Sequence, residues 1–132
     1  MPKFWTVSFA LSALYGAVVV GMGAAISHYF QYRLVTEEFS ALLSSTAMLA
    51  VHGVSLLTLS AIGLWGRPLS LWQQRWCALV VAAMHLGLWL FVYTVWAGLF
   101  ELPLHYRFLA PIGGQTLLVA WLALMAVPFI RK

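Results

Sequence analysis

Four long runs without a single Asp, Glu, Lys or Arg alternate along the chain with short polar segments. They cover roughly Phe4–Ser27, Ala41–Leu64, Cys77–Leu99 and Phe108–Ile130. Each holds about 23 residues, or about 35 Å of α-helix, against a hydrocarbon core about 30 Å thick. The pattern predicts four transmembrane helices. Connections this short bring consecutive helices side by side, so the expected fold is all-α, an integral membrane antiparallel four-helix bundle forming a single transmembrane domain over residues 1–132.

Composition agrees. Of 132 residues, 64% are hydrophobic and 8% charged, whereas charged residues make up about a quarter of an ordinary soluble chain. A soluble domain of this size has too little interior to hide that much apolar surface. The first run begins with a basic residue and carries small residues, as signal peptides do, but its apolar stretch is longer than a signal core and is expected to stay as a span.

The charges orient the bundle. Lys3, Arg67, Arg75, Arg131 and Lys132 fall on one side, and Arg33 and Arg107 on the other together with Glu37, Glu38 and Glu101. The positive-inside rule then puts both termini in the cytoplasm. Aromatic residues suited to the interfaces follow the same division: Trp5, Trp65, Trp72 and Trp76 inside, Tyr29, Tyr32, Trp96, Phe100 and Tyr106 outside. The inner connection WGRPLSLWQQRW (65–76) reads as an interfacial hairpin whose arginines suit anionic lipid. Seven basic residues against three acidic ones are too sparse for a nucleic-acid surface. The single cysteine, Cys77, excludes an internal disulfide and any multi-cysteine metal site.

In lipid, helices associate through small residues rather than by hydrophobic burial. On the first helix Ala13, Ala17, Gly21 and Ala25 recur every fourth residue, with Gly16 and Gly23 nearby, and are expected to form its packing face. The second helix carries Ser44, Ser45, Thr46, Ser55, Thr58 and Ser60, which can bond to carbonyls or across to neighbours.

Four histidines are the groups that titrate near neutral pH. His28 and His105 lie near water, where capping or interfacial packing is expected. His52 and His85 reach similar depth near the midplane, and an ionisable group there raises the question of a site. The sharpest version is a pair of axial ligands for a b-type haem, or a quinone-binding pair. The faces speak against it: His52 shares a polar stripe with Ser45, Ser55 and Ser60, which should point inward, whereas His85 shares a bulky stripe with Trp89, Val92 and Trp96, suited to lipid or a partner. A proton or small-solute pathway along Ser45, His52, Ser55 and Ser60 is a further alternative. No span contains a carboxylate, and no phosphate loop, CxxC or HExxH occurs, so no catalytic residues and no metal ligands are assigned.

Three segments carry a family resemblance: GAAISH (23–28), AVHGVSLL (50–57) and APIGGQTLLVAW (110–121). In order and layout they resemble the YgdD-like small membrane proteins, a bacterial inner-membrane family of unknown function with mitochondrial relatives. The resemblance runs over nearly the whole chain and implies Gly23, His28, His52, Pro111, Gly113, Gly114 and Trp121 as the matching positions. The third helix departs from the family pattern, with bulky LWLFVY (88–93) where small residues precede the tyrosine. The implied location is the bacterial inner membrane; no activity is implied.

The sequence therefore reads as a non-catalytic accessory subunit of a larger membrane complex, respiratory or otherwise energy-transducing, with lipids and other integral membrane subunits as partners. Trp89, Phe91, Trp96 and Phe100 are expected to form its partner or lipid face. Pro111, tolerated at a helix start, and Gly113 and Gly114 are expected to let the end of the first helix, around Gly23–His28, approach the fourth. The free amides of that first turn could hold an anion or the His28 imidazole.

Overall fold

The computed structural model describes residues 1–66, 69–103 and 106–130. Arg67, His105, Arg131 and Lys132, which entered the charge and histidine readings, lie outside them. The described residues form four long helices and no strand: α1 (Pro2–His28), α2 (Thr36–Trp65), α3 (Leu71–Leu99) and α4 (Leu109–Met125). Short 3-10 turns at Phe30–Tyr32 and Val127–Phe129 follow α1 and α4. All four are long and apolar enough to cross a membrane.

Two helices begin earlier than the apolar runs suggest, because polar residues build their first turns. In α2 the extra residues include Glu37 and Glu38, whose charges favour the positive end of the helix dipole. The Glu38 carboxylate accepts from the Val35 amide at 3.4 Å. In α3 the start moves to Leu71, where Ser70 and Gln73 form a reciprocal cap. The Gln73 amide donates to Ser70 Oγ at 3.3 Å, and the Ser70 amide to Gln73 Oε1 at 3.1 Å. Much of the inner hairpin is therefore helix. At the other end, Pro128 has no amide to continue the ladder, and α4 gives way to a 3-10 turn.

The helices pack in chain order, α1 on α2, α2 on α3 and α3 on α4, and α3 also touches α1. α3 is thus the central helix, and its Val80, Val81, Met84, Leu88 and Val92 join Tyr15, Leu49, Leu56, Leu117 and Ala120 in the core. α4 rests almost wholly on α3. Their crossing point is a pair of glycines: a Cβ on Gly87 would stand 2.9 Å from the Gly113 carbonyl oxygen, and one on Gly113 2.7 Å from that of Gly87. Removing both side chains lets the two backbones meet, which is how close helix contacts form in lipid. Trp76 strengthens the same pair by donating its indole N–H to the Ala123 carbonyl at 2.8 Å.

This arrangement corrects two expectations. Gly113 and Gly114 admit α3 rather than the end of α1; α1 and α4 are not neighbours, and His28 is exposed. The α1 residues that turn inward are Trp5, Ser8, Ser12, Tyr15 and Ile26. Ala13, Ala17 and Gly21 are exposed, and Gly16, Gly21 and Gly23 have open space where a side chain would stand. The small-residue ridge of α1 faces out of this chain. Bulky and hydroxyl side chains prevail inside because Tyr15 fits over Gly53, whose added Cβ would lie 3.3 Å from that of Tyr15, and because the serines find partners there.

Candidate functional site: a polar chain across three helices

Ser8, Ser60, His85 and Tyr15 join α1, α2 and α3 through three consecutive hydrogen bonds. Ser8 Oγ lies 2.7 Å from Ser60 Oγ and 2.8 Å from His85 Nε2, and Tyr15 Oη lies 2.8 Å from His85 Nδ1. Ser8 and Tyr15 stand seven residues apart on α1, two helical turns, which is the spacing that lets both reach one imidazole on α3. Ser12, between them, donates to the Ser8 carbonyl at 2.7 Å.

A neutral imidazole donates at one nitrogen and accepts at the other. The chain therefore has two consistent polarities. In one, Tyr15 donates to Nδ1, and Nε2–H donates to Ser8, which donates to Ser60. In the other, Ser60 donates to Ser8 and Ser8 to Nε2, while Nδ1–H donates to Tyr15. Among the described residues no buried side-chain donor or acceptor is left without a partner, as a low-dielectric interior requires.

His52 belongs to a separate arrangement. Its Nδ1 lies 2.8 Å from the Met48 carbonyl oxygen, and its Nε2 lies 3.1 Å from the Trp121 indole nitrogen. A carbonyl only accepts and an indole N–H only donates, so the proton sits on Nδ1. The Trp121–His52 bond fastens α4 to α2. The family resemblance had picked out both residues, but nothing in the spacing tied them together across 69 positions.

The His52–His85 pair that the alternative haem or quinone reading needs is not assembled: one imidazole bonds to α4 and its own helix, the other to α1. Both nitrogens of each are already engaged, so iron would have to displace a protein partner, and the residues do not fit an axial pair. Among the described residues no cluster of three or more His, Cys, Asp or Glu could hold a metal ion. The α2 stripe is likewise not one pathway. Ser45 accepts from the Trp96 indole at 2.9 Å, Ser55 bonds back to the Val51 carbonyl at 2.8 Å, and Ser60 joins the α1 chain.

The α3 aromatics do not form one outward face. His85 turns toward α1, Trp96 toward Ser45, Phe91 packs at the Gly113 crossing, and Phe100 lies 5.3 Å from Phe30 between ring centroids. Only Trp89 of the four is largely exposed, at 54%. The helical spacing was right, but neighbours from three sides divide the stripe among them. Sequence reasoning missed Ser8 and Tyr15, each unremarkable in an apolar run; the signal was a histidine midway along an apolar run, in need of two partners.

A groove of about 350 Å³ runs between α1 and α2, lined by Ser12, Ala13, Gly16, Val19, Ala50, Gly53, Val54 and Leu57. Its walls are mostly small residues, and it adjoins the outward ridge of α1. Comparison of the chain with family models, curated proteins and solved structures returns no match.

Proposed function

We propose that this chain is a multi-pass protein of the bacterial inner membrane, with both termini cytoplasmic, that serves as a non-catalytic accessory subunit of a larger membrane complex. The charge bias supports the orientation, and the likeness of APIGGQTLLVAW to the YgdD-like proteins supports the location. The observation that carries the reading is the α1–α2 groove with its adjoining ridge. Ala13, Gly16 and Ala50 line a channel between two helices, and at Gly16 nothing among the described residues stands within 4 Å of where a side chain would begin. Small residues on a lipid-facing side favour the close approach of a further helix.

The test separates docking from folding. Gly16 is exposed and a Cβ there meets nothing within 4 Å, so Gly16→Leu is expected to extend into the groove with the fold kept, which the melting temperature checks. Extracted in mild detergent, the native chain is expected to migrate with other proteins in a discrete larger assembly, and Gly16→Leu to migrate free of them with an unchanged melting temperature. Monomeric migration of both contradicts the proposal.

A second reading has its own observation, the Ser60–Ser8–His85–Tyr15 chain. One turn from Ser8, Trp5 lines a cavity of about 220 Å³ at the end of the bundle that also holds Met1, Gly66 and Gln74. A hydrogen-bonded chain with two polarities can pass a proton by reversing, which supports a proton pathway from that end to Tyr15. In liposomes carrying a pH-sensitive dye, the native chain should then raise proton flux and Tyr15→Phe should abolish the increase. Equal flux with and without the protein excludes this reading.

A further inference from the structure

We propose that two copies of this chain pair through their α4 helices, with the Gln115 carboxamides hydrogen-bonded to each other inside the membrane. This surface is distinct from the α1–α2 groove, and the inference rests on the membrane insertion proposed above but not on an accessory role.

α4 buries Gly113, Leu117 and Ala120. At about 100° per residue, Gln115 projects nearly opposite to them. It is exposed together with Leu118, Leu122 and Met125, the last three at 62%, 57% and 68%. These four positions follow a spacing of three, four and three, the seam along which one helix packs against another. Gln115 lies about 9 Å from the outer end of a span about 31 Å long, within the hydrocarbon. Its side chain makes no hydrogen bond among the described residues, although the adjacent Thr116 hydroxyl is satisfied by the Ile112 carbonyl at 2.8 Å. A carboxamide left bare in lipid is costly, so this site calls for a partner that both donates and accepts.

The chemistry selects the occupant. Acyl chains offer neither donor nor acceptor. A carboxamide has both and is complementary to itself. A second copy inserted in the same orientation carries Gln115 at the same depth, and a two-fold axis along the membrane normal sets the two residues face to face. The seam then places Leu118, Leu122 and Met125 of each copy against those of the other.

The experiment uses the full chain in phosphatidylcholine bilayers, with Cys77→Ala and one added cysteine. Leu118→Cys should crosslink to a dimer with a short thiol reagent, whereas Val20→Cys, 75% exposed on α1 away from α4, should not. Dimer fractions measured by photobleaching across protein-to-lipid ratios should show Gln115→Leu weakening association roughly tenfold, with Gln115→Asn restoring part of the loss. A chain that stays monomeric at every density overturns the proposal. So does dimerisation unaffected by Gln115→Leu, crosslinking equal at Val20→Cys and Leu118→Cys, or a foreign protein captured at Leu118→Cys in native membranes in place of a second copy.

Discussion

Gly113→Leu is expected to release α4 from α3 and to be the most damaging single substitution in the chain. A Cβ there would lie 2.6 Å from the Phe91 amide nitrogen, 2.7 Å from the Gly87 carbonyl oxygen and 3.0 Å from the Phe91 Cα. All three are backbone atoms, which cannot rotate aside, so one helix must move. Overpacking a well-fitted site costs about 1–3 kcal/mol, and more when the backbone is displaced. The burial of Leu117 and Ala120 against α3 and the Trp76–Ala123 and Trp121–His52 bonds depend on the same approach. The neighbouring glycine is the control. At Gly114 the nearest atom to an added Cβ is Phe91 Cδ2, at 4.0 Å. Gly114→Ala should change stability by no more than about 0.5 kcal/mol, apart from the helix preference of alanine. Thermal unfolding in detergent, followed by near-ultraviolet circular dichroism, compares the two. A melting temperature of Gly113→Leu equal to that of the native chain contradicts the glycine crossing.

Ser8→Ala is expected to follow in size. Ser8 is the joint of the polar chain, and its loss leaves Ser60 Oγ and His85 Nε2 without their partner in the bundle. A buried polar group stripped of its bond costs about 1–3 kcal/mol, although pairs between membrane helices average nearer 0.6 kcal/mol. The expected loss is therefore about 1–2 kcal/mol, with Ser8→Ala and His85→Leu together costing less than the sum of the two, since they break the same bond. Ser55→Ala provides the comparison. That hydroxyl bonds only to the Val51 carbonyl of its own helix, and its removal should fall within about 0.5 kcal/mol. Unfolding of all four variants under one condition gives the cycle. Strict additivity would mean that the serine and the imidazole act independently.

What the sequence reveals follows from which interactions are local. Four helices follow from four uncharged runs, because an apolar run of that length satisfies its backbone hydrogen bonds within itself only as a helix. The early starts of α2 and α3 follow from Glu37, Glu38, Ser70 and Gln73, polar residues that a hydropathy reading discards but that build the first turns. Partner choice is different. Ala13, Ala17 and Gly21 have the spacing of a packing face, yet spacing does not say which molecule packs there, and in this chain the heavier face of Tyr15 and the serines turns inward. Gly113 was legible as a contact glycine, but its partner, Gly87, stands in an α3 segment otherwise full of large residues. His85 read as facing lipid or a partner because its stripe also carries Trp89 and Trp96. Its direction is decided by Ser8 and Tyr15, 77 and 70 residues away, and no periodicity on α3 encodes them.

The outward ridge of α1 bears most directly on what the chain does. A photoreactive amino acid at Val20, which is 75% exposed one turn beyond Gly16, reports what lies beside the groove in native membranes. Leu86 on α3, 58% exposed, serves as the reference position. An accessory subunit is expected to give one discrete protein adduct from Val20, lost in Gly16→Leu, and only lipid adducts from Leu86. Lipid adducts alone from Val20 would contradict the account.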